Sequence, residues 1–146
     1  MRIVFDTDVL VAAFCSNQGA SRALLLAALD RELTLSASVP LWLEYEAVIT
    51  RPDHLAASGL SAQEVSDVLD AMAAVAEPVR LSFLWRPQVR DAADEMVLAT
   101  AVNGVADCLV TFNQRHLSAA AIRFGIQALR PGELYRSIYG RTDATK

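Results

Sequence analysis

The sequence predicts an α/β fold, a three-layer α/β/α sandwich around a mainly parallel sheet of four or five strands. Three observations lead there. Short unalternated runs such as Ile3-Val4-Phe5 and Cys108-Leu-Val-Thr111 read as strands buried on both faces. Segments with apolar residues at helical spacing separate these runs, so strands and helices alternate along the chain. The chain has 146 residues, 53% of them hydrophobic and 21% charged, which suits one domain with a real core.

Taken in order, Ile3 to Phe5 forms the first strand and stops at Asp6. Ser21 to Arg31 places Leu24, Leu25, Ala28 and Leu29 on one helical face, with Gly19 and Ser21 as start signals. Leu33 to Leu35 reads as a second strand. Ser38 is placed to cap a helix that tolerates Pro40 in its first turn and runs to about Thr50. Ser61-Ala-Gln-Glu64 is a capping box opening a helix to about Ala76, with Val65, Val68, Leu69, Met72 and Val75 as its apolar stripe. Val79 to Leu84 is expected as a third strand. Asp91-Ala-Ala-Asp94-Glu95 opens a helix that ends at Asn103-Gly104, with Asp91 a natural N-cap. Cys108 to Thr111 is the next strand, followed by a short helix over Ser118 to Phe124 and a last strand over Ile126 to Leu129. Pro131 to Tyr139 closes the fold. Residues 1–139 are thus one domain, and 140–146 are expected to form a mobile tail.

The composition narrows the function classes. No apolar run approaches the roughly 20 residues that span a bilayer, and the N-terminus starts directly on a strand without a basic n-region. The expectation is a cytoplasmic protein with no membrane partner. Cys15 and Cys108 lack paired spacing and read as reduced structural thiols. The net charge of −4 does not mark a nucleic-acid binder, although a metal site supplies local positive charge where a phosphate must approach. Lys146 is the single lysine, which removes an interior Schiff-base former, phosphate clamp or lysine base.

In a parallel α/β sheet, ligands bind beyond the carboxyl ends of the strands. Asp6 and Asn113 fall at such ends, and Asp94 lies at a helix start reached from one. Taken alone, Asp6 could simply accept hydrogen bonds from the turn after it, and the dipole alone could explain acids at a helix start. Together in one crevice, several carboxylates repel one another unless a cation joins them. Hard oxygen ligands suit Mg²⁺ or Mn²⁺, and no zinc-type His/Cys set exists. Such an ion lowers the pKa of a bound water and neutralises a phosphoryl oxygen, which is phosphodiester-cleavage chemistry. Of Glu44 and Glu46, two positions apart on one helix, only one can face inward, and spacing alone leaves that choice open.

Four stretches in this order, Val4-Phe-Asp6-Thr7-Asp8-Val-Leu10, Leu43-Glu44-Tyr45-Glu46 before Arg51-Pro52, Arg90-Asp91-Ala-Ala-Asp94-Glu95-Met-Val-Leu-Ala99 and Leu109-Val-Thr111-Phe-Asn113, resemble a PIN domain. The likeness is to the toxic endoribonuclease of bacterial VapC-like toxin–antitoxin pairs, and it covers Ile3 to about Leu134. It implies a metal-dependent ribonuclease in which Asp6, Glu44 and Asp94 are catalytic and bind Mg²⁺ or Mn²⁺, with Asn113 a weaker ligand. Thr7 and Thr111 match hydroxyl positions flanking the site, and Asp91 supports it. The resemblance favours Glu44 over Glu46. It also implies an RNA substrate, a cognate antitoxin and a homodimer. Two departures stand out: Asp8 occupies a position where asparagine is common, and Asn113 one where many relatives have a fourth aspartate. The segment Gln114-Arg-His116 is also one residue longer than the commonest form. Arg51, Arg86, Arg90, Arg115 and His116 are candidates to meet RNA phosphate, with ordinary surface charge as the alternative.

Two other readings compete. Phe5-Asp6-Thr7-Asp8 also fits a haloacid-dehalogenase-like phosphatase with Asp6 as nucleophile and Asp8 as acid/base, but that family needs an interior lysine. Asn113 in place of an acid also admits a catalytically weak or inactive PIN-fold binding module.

Overall fold

The computed structural model describes residues 1–16, 19–82 and 92–144, with the backbone alone for 141–144. Five strands form one sheet in the order β3-β2-β1-β4-β5, and every pairing is parallel. The strands are β1 (Arg2–Phe5), β2 (Thr34–Ser38), β3 (Glu77–Val79), β4 (Cys108–Val110) and β5 (Gln127–Leu129). Eight helices fill the described connections: α1 (Thr7–Cys15), α2 (Ala20–Leu29), α3 (Val39–Ile49), α4 (Pro52–Ser58), α5 (Ala62–Val75), α6 (Ala92–Asn103), α7 (Gln114–Ile122) and α8 (Pro131–Ala144). The α/β/α architecture expected from strand–helix alternation is the one observed.

The central strands are buried as their composition requires. Ile3, Val4 and Phe5 of β1 and Leu109 and Val110 of β4 are almost wholly excluded from solvent. At about 25 cal/mol per Å² of apolar surface, each such side chain contributes on the order of 1.5–3 kcal/mol. The chain leaves β1 outward through β2 to β3, then returns to the other side of β1 as β4. That reversal makes the β1–β4 boundary a topological switch point, where the carboxyl ends of an open sheet leave a crevice.

Several local expectations hold with their physical causes visible. Ser38 Oγ accepts from the Leu41 amide at 3.4 Å, capping α3 with Pro40 in its first turn. Ser61 and Glu64 exchange both capping-box hydrogen bonds, each at 3.1 Å. Cys15 and Cys108 are free thiols, and burial pushes the Cys108 thiol up to about 12, which keeps it protonated.

Other expectations shift. The segment after Asp6 is a helix, α1, whose Val9, Leu10, Ala13 and Phe14 are buried, and Arg22 of α2 donates to the Ala13 and Phe14 carbonyls at its end. Residues 52–58 form α4. The second strand runs on from Thr34 to Ser38, and the third lies earlier than expected, over Glu77–Val79. Pro78 is accommodated there because β3 is an edge strand. Gly104 allows the end of α6 to pass close by, since a Cβ at that position would sit 2.8 Å from Val79 Cγ2. Helix α7 begins at Gln114 rather than Ser118. Gln114 Nε2 donates to Glu133 Oε1 at 2.7 Å and to the Ala128 carbonyl at 3.0 Å, anchoring that first turn to the β5–α8 junction. The closing helix continues to Ala144. Among the described residues no single helix is long and apolar enough to cross a membrane.

Candidate active site

Asp6 is the first residue beyond β1, and its amide donates to the Val110 carbonyl of β4 at 2.9 Å. The sheet therefore fixes its backbone at the switch point. The side chain is 6% exposed, and the Thr7 amide at the start of α1 is one of the groups that stabilise its ionised form. Its Oδ2 accepts from the Thr111 hydroxyl at 2.7 Å, and the Asn113 amide in turn donates to Thr111 Oγ1 at 2.8 Å. Thr111 is fully buried at the end of β4, so two adjacent strand ends meet through one hydroxyl.

Asp94, in the first turn of α6, is also buried. Its Oδ2 accepts from the Asn113 side-chain amide at 3.2 Å. Asn113 thus reaches both acids, Asp94 directly and Asp6 through Thr111. This geometry gives the departure from aspartate a physical meaning: an amide at position 113 donates to a carboxylate, which an ionised acid there cannot do. Burial, the largest influence, raises the Asp6 carboxyl above its ordinary value. The Thr111 hydrogen bond lowers it, the charges of Asp8 and Asp94 raise it, and the Thr7 amide lowers it. Mutual repulsion between Asp6 and Asp94 places the two carboxylates in one electrostatic neighbourhood.

The remaining candidates divide. Thr7 is buried, and its Oγ1 has no hydrogen-bond partner among the described residues. Asp8 is exposed yet acts on Asp6 through space. Glu44 is half-buried on α3 and Glu46 is exposed. Glu44 is not among the groups acting on Asp6, and no three Asp, Glu, His or Cys side chains among the described residues converge on one point. Arg51, Arg115 and His116 are exposed, the last two in the first turn of α7. Arg86, Arg90 and Asp91 lie outside the described residues, as do positions 83 and 84 of the expected third strand.

Two features near the site escaped the sequence reading. The Tyr45 hydroxyl donates to the Phe5 carbonyl, tying α3 to the last residue of β1, and the nearby charge of Asp6 adds to burial in raising the tyrosine pKa. A tyrosine on an inward helical stripe needs such a partner for its hydroxyl, which is the signal that was available. Ser38 and Thr100 meet at 2.7 Å, and Thr100 gives its proton to the Met96 carbonyl, so Ser38 is the donor. That bond ties the β2–α3 junction to α6, the helix bearing Asp94.

The two acids that do share a neighbourhood, Asp6 and Asp94, are of the hard oxygen type that a divalent cation takes, and they repel each other. Buried charges of like sign are costly, and a cation is the species that turns that cost into binding.

No curated protein sequence matches the chain. Among solved structures, that of FitAcB from Neisseria gonorrhoeae is similar, with a TM-score of 0.51 and 16% sequence identity over 88% of this chain and 97% of that one. At that identity the likeness speaks for the fold. The PIN domain family matches residues 2–115, more than half of the chain, and this chain belongs to that family.

Proposed function

We propose that this PIN domain is a Mg²⁺- or Mn²⁺-dependent endoribonuclease and the toxin of a toxin–antitoxin pair. The observation that supports it most is the buried Asp6–Asp94 pair at the switch point, with both acids held from the end of β4. Asp6 and Asp94 would hold the cation, joined by Glu44 from α3 and more weakly by the Asn113 carbonyl oxygen. A bound cation supplies an activated water and neutralises charge on the phosphoryl oxygen. Thr111 holds the Asp6 carboxylate at a fixed angle, and Asn113 does the same for Asp94. Arg51, Arg115 and His116 would meet RNA phosphates at the rim, with Arg86 and Arg90 as further candidates.

A partner protein is supported by exposed apolar surface. Val39 and Leu43, one turn apart on α3, are 72% and 58% exposed. The reading therefore includes an antitoxin and a homodimer.

The Asn113 substitution favours one second reading, a PIN-fold binding module that is weakly active or inactive. Melting with and without Mn²⁺, beside RNA cleavage in Mg²⁺, Mn²⁺ or a chelator, separates the two. The nuclease reading expects a higher melting temperature with Mn²⁺ and cleavage only with metal. Failure of both results would leave the binding module.

A further inference from the structure

We infer that the Ser38–Thr100 hydroxyl pair is the positioning clamp of the cation site, setting the gap between α3 and α6 and so the span between Glu44 and Asp94. The inference rests on the metal-dependent nuclease reading and deepens it by naming residues that shape the site without touching the ion. Both side chains are buried, and their oxygens lie 2.7 Å apart. Thr100 gives its proton to the Met96 carbonyl, so the bond within the pair runs from Ser38 to Thr100. Ser38 Oγ also accepts from the Leu41 amide in the first turn of α3. One hydroxyl thus caps the helix bearing Glu44 and grips the helix bearing Asp94.

The clamp stands level with the acids. Ile3 pairs with Leu35 on one side and with Cys108 on the other. Three residues further along each strand, Asp6 stands in one row with Ser38 and Thr111. Residues in one row of a parallel sheet point to the same face, so the hydroxyls of Ser38 and Thr111 flank Asp6. Glu44 is six residues from Ser38, and Asp94 is six from Thr100, about 9 Å of helix in each case. A tilt of about 10° at the clamp carries such an acid roughly 1.5 Å, against the ~0.5 Å within which a functional site must be held. Ordinary packing does not explain the pair. Valine has the shape of Thr100, and a helix interior gains nothing from a threonine that bonds back to the carbonyl four residues earlier.

The test compares wild type, Thr100→Val and Thr100→Ser as full chains. Melts in chelator first fix a temperature at which each protein is folded. Mn²⁺ is then titrated in by isothermal calorimetry, without chelator or RNA. Thr100→Val is expected to weaken Mn²⁺ binding roughly 10- to 100-fold at unchanged stoichiometry, the range for a group that orients metal ligands. Thr100→Ser keeps the hydroxyl and should bind Mn²⁺ as wild type does. Wild-type affinity in Thr100→Val overturns the inference, as does a serine variant as weak as the valine one. A lower stoichiometry at unchanged affinity, or a Thr100→Val that does not fold, marks a purely structural pair and also overturns it. Failure of the underlying reading looks different: wild type itself takes up no Mn²⁺ and cuts no RNA in its presence.

Discussion

Replacing Thr111 by valine isolates the electrostatics of the site, because the shape is kept and only the hydroxyl is lost. That hydroxyl donates to Asp6 Oδ2 at 2.7 Å and accepts from the Asn113 amide at 2.8 Å, and the residue is fully buried. A hydrogen bond to a charged group contributes ~1.5–3 kcal/mol, and the half-buried Asn113 amide left behind adds ~1 kcal/mol. The expected loss in metal-free protein is therefore about 2.5–4 kcal/mol near neutral pH. For a domain of this size that lowers the melting temperature by about 8–16 °C. The pH dependence is the sharper readout. Asp6 is raised in the folded state chiefly by burial, so its folded form holds a proton more tightly than the unfolded chain. That contribution to stability is present in acid and is lost as pH rises through the raised value. Thr111 opposes the shift by stabilising the ionised form. Thr111→Val consequently raises Asp6 further and should cost most near neutrality and least in acid, where Asp6 is protonated. Thermal melts by circular dichroism in chelator, at about pH 4 and about pH 7.5, measure the difference. An equal drop at both pH values would refute the reasoning, since a plain packing defect has no reason to titrate.

Asn113→Asp should replace a donor with a second carboxylate 3.2 Å from Asp94 Oδ2. It is expected to lower metal-free stability and to tighten Mn²⁺ binding by roughly tenfold, measured by calorimetry, since added negative charge draws a hard cation. Tyr45→Phe removes the buried hydroxyl that ties α3 to the end of β1. It should cost ~0.5–1.5 kcal/mol by denaturant melt while lowering metal-dependent RNA cleavage by more than the unfolded fraction explains.

The sheet was legible because parallel strands buried on both faces write themselves as apolar runs, and capping residues mark their helices. Ser38 and the Ser61–Glu64 box are where side-chain chemistry alone located helix starts. Helix α1 was illegible because Asp6-Thr7-Asp8 reads as a turn, and the stripe Val9, Leu10, Ala13, Phe14 is short. The start of α7 was missed for a tertiary reason: Gln114 is held by Glu133 and the Ala128 carbonyl, partners far along the chain. At the site, Asp6 could be placed from its position after β1, and Asp94 from its place at a helix start. The part played by Asn113 could not, because which acid an amide reaches depends on how β4 and α6 dock. Sequence spacing likewise left Glu44 and Glu46 open, and only the fold separates them by exposure.

The most direct test of the account replaces Asp6 by asparagine and reads metal-free melting beside RNA cleavage in Mg²⁺ or Mn²⁺. The amide is nearly isosteric, and its oxygen can still accept from Thr111, so packing should hold. Its neutrality removes the repulsion from Asp8 and Asp94 and the cost of burying a charge. The account predicts an unchanged or higher melting temperature without metal, no stabilisation by Mn²⁺, and cleavage lost by at least about a hundredfold. A variant that melts far lower, yet whose folded fraction cuts RNA as wild type does, would make Asp6 a scaffold residue and contradict the account.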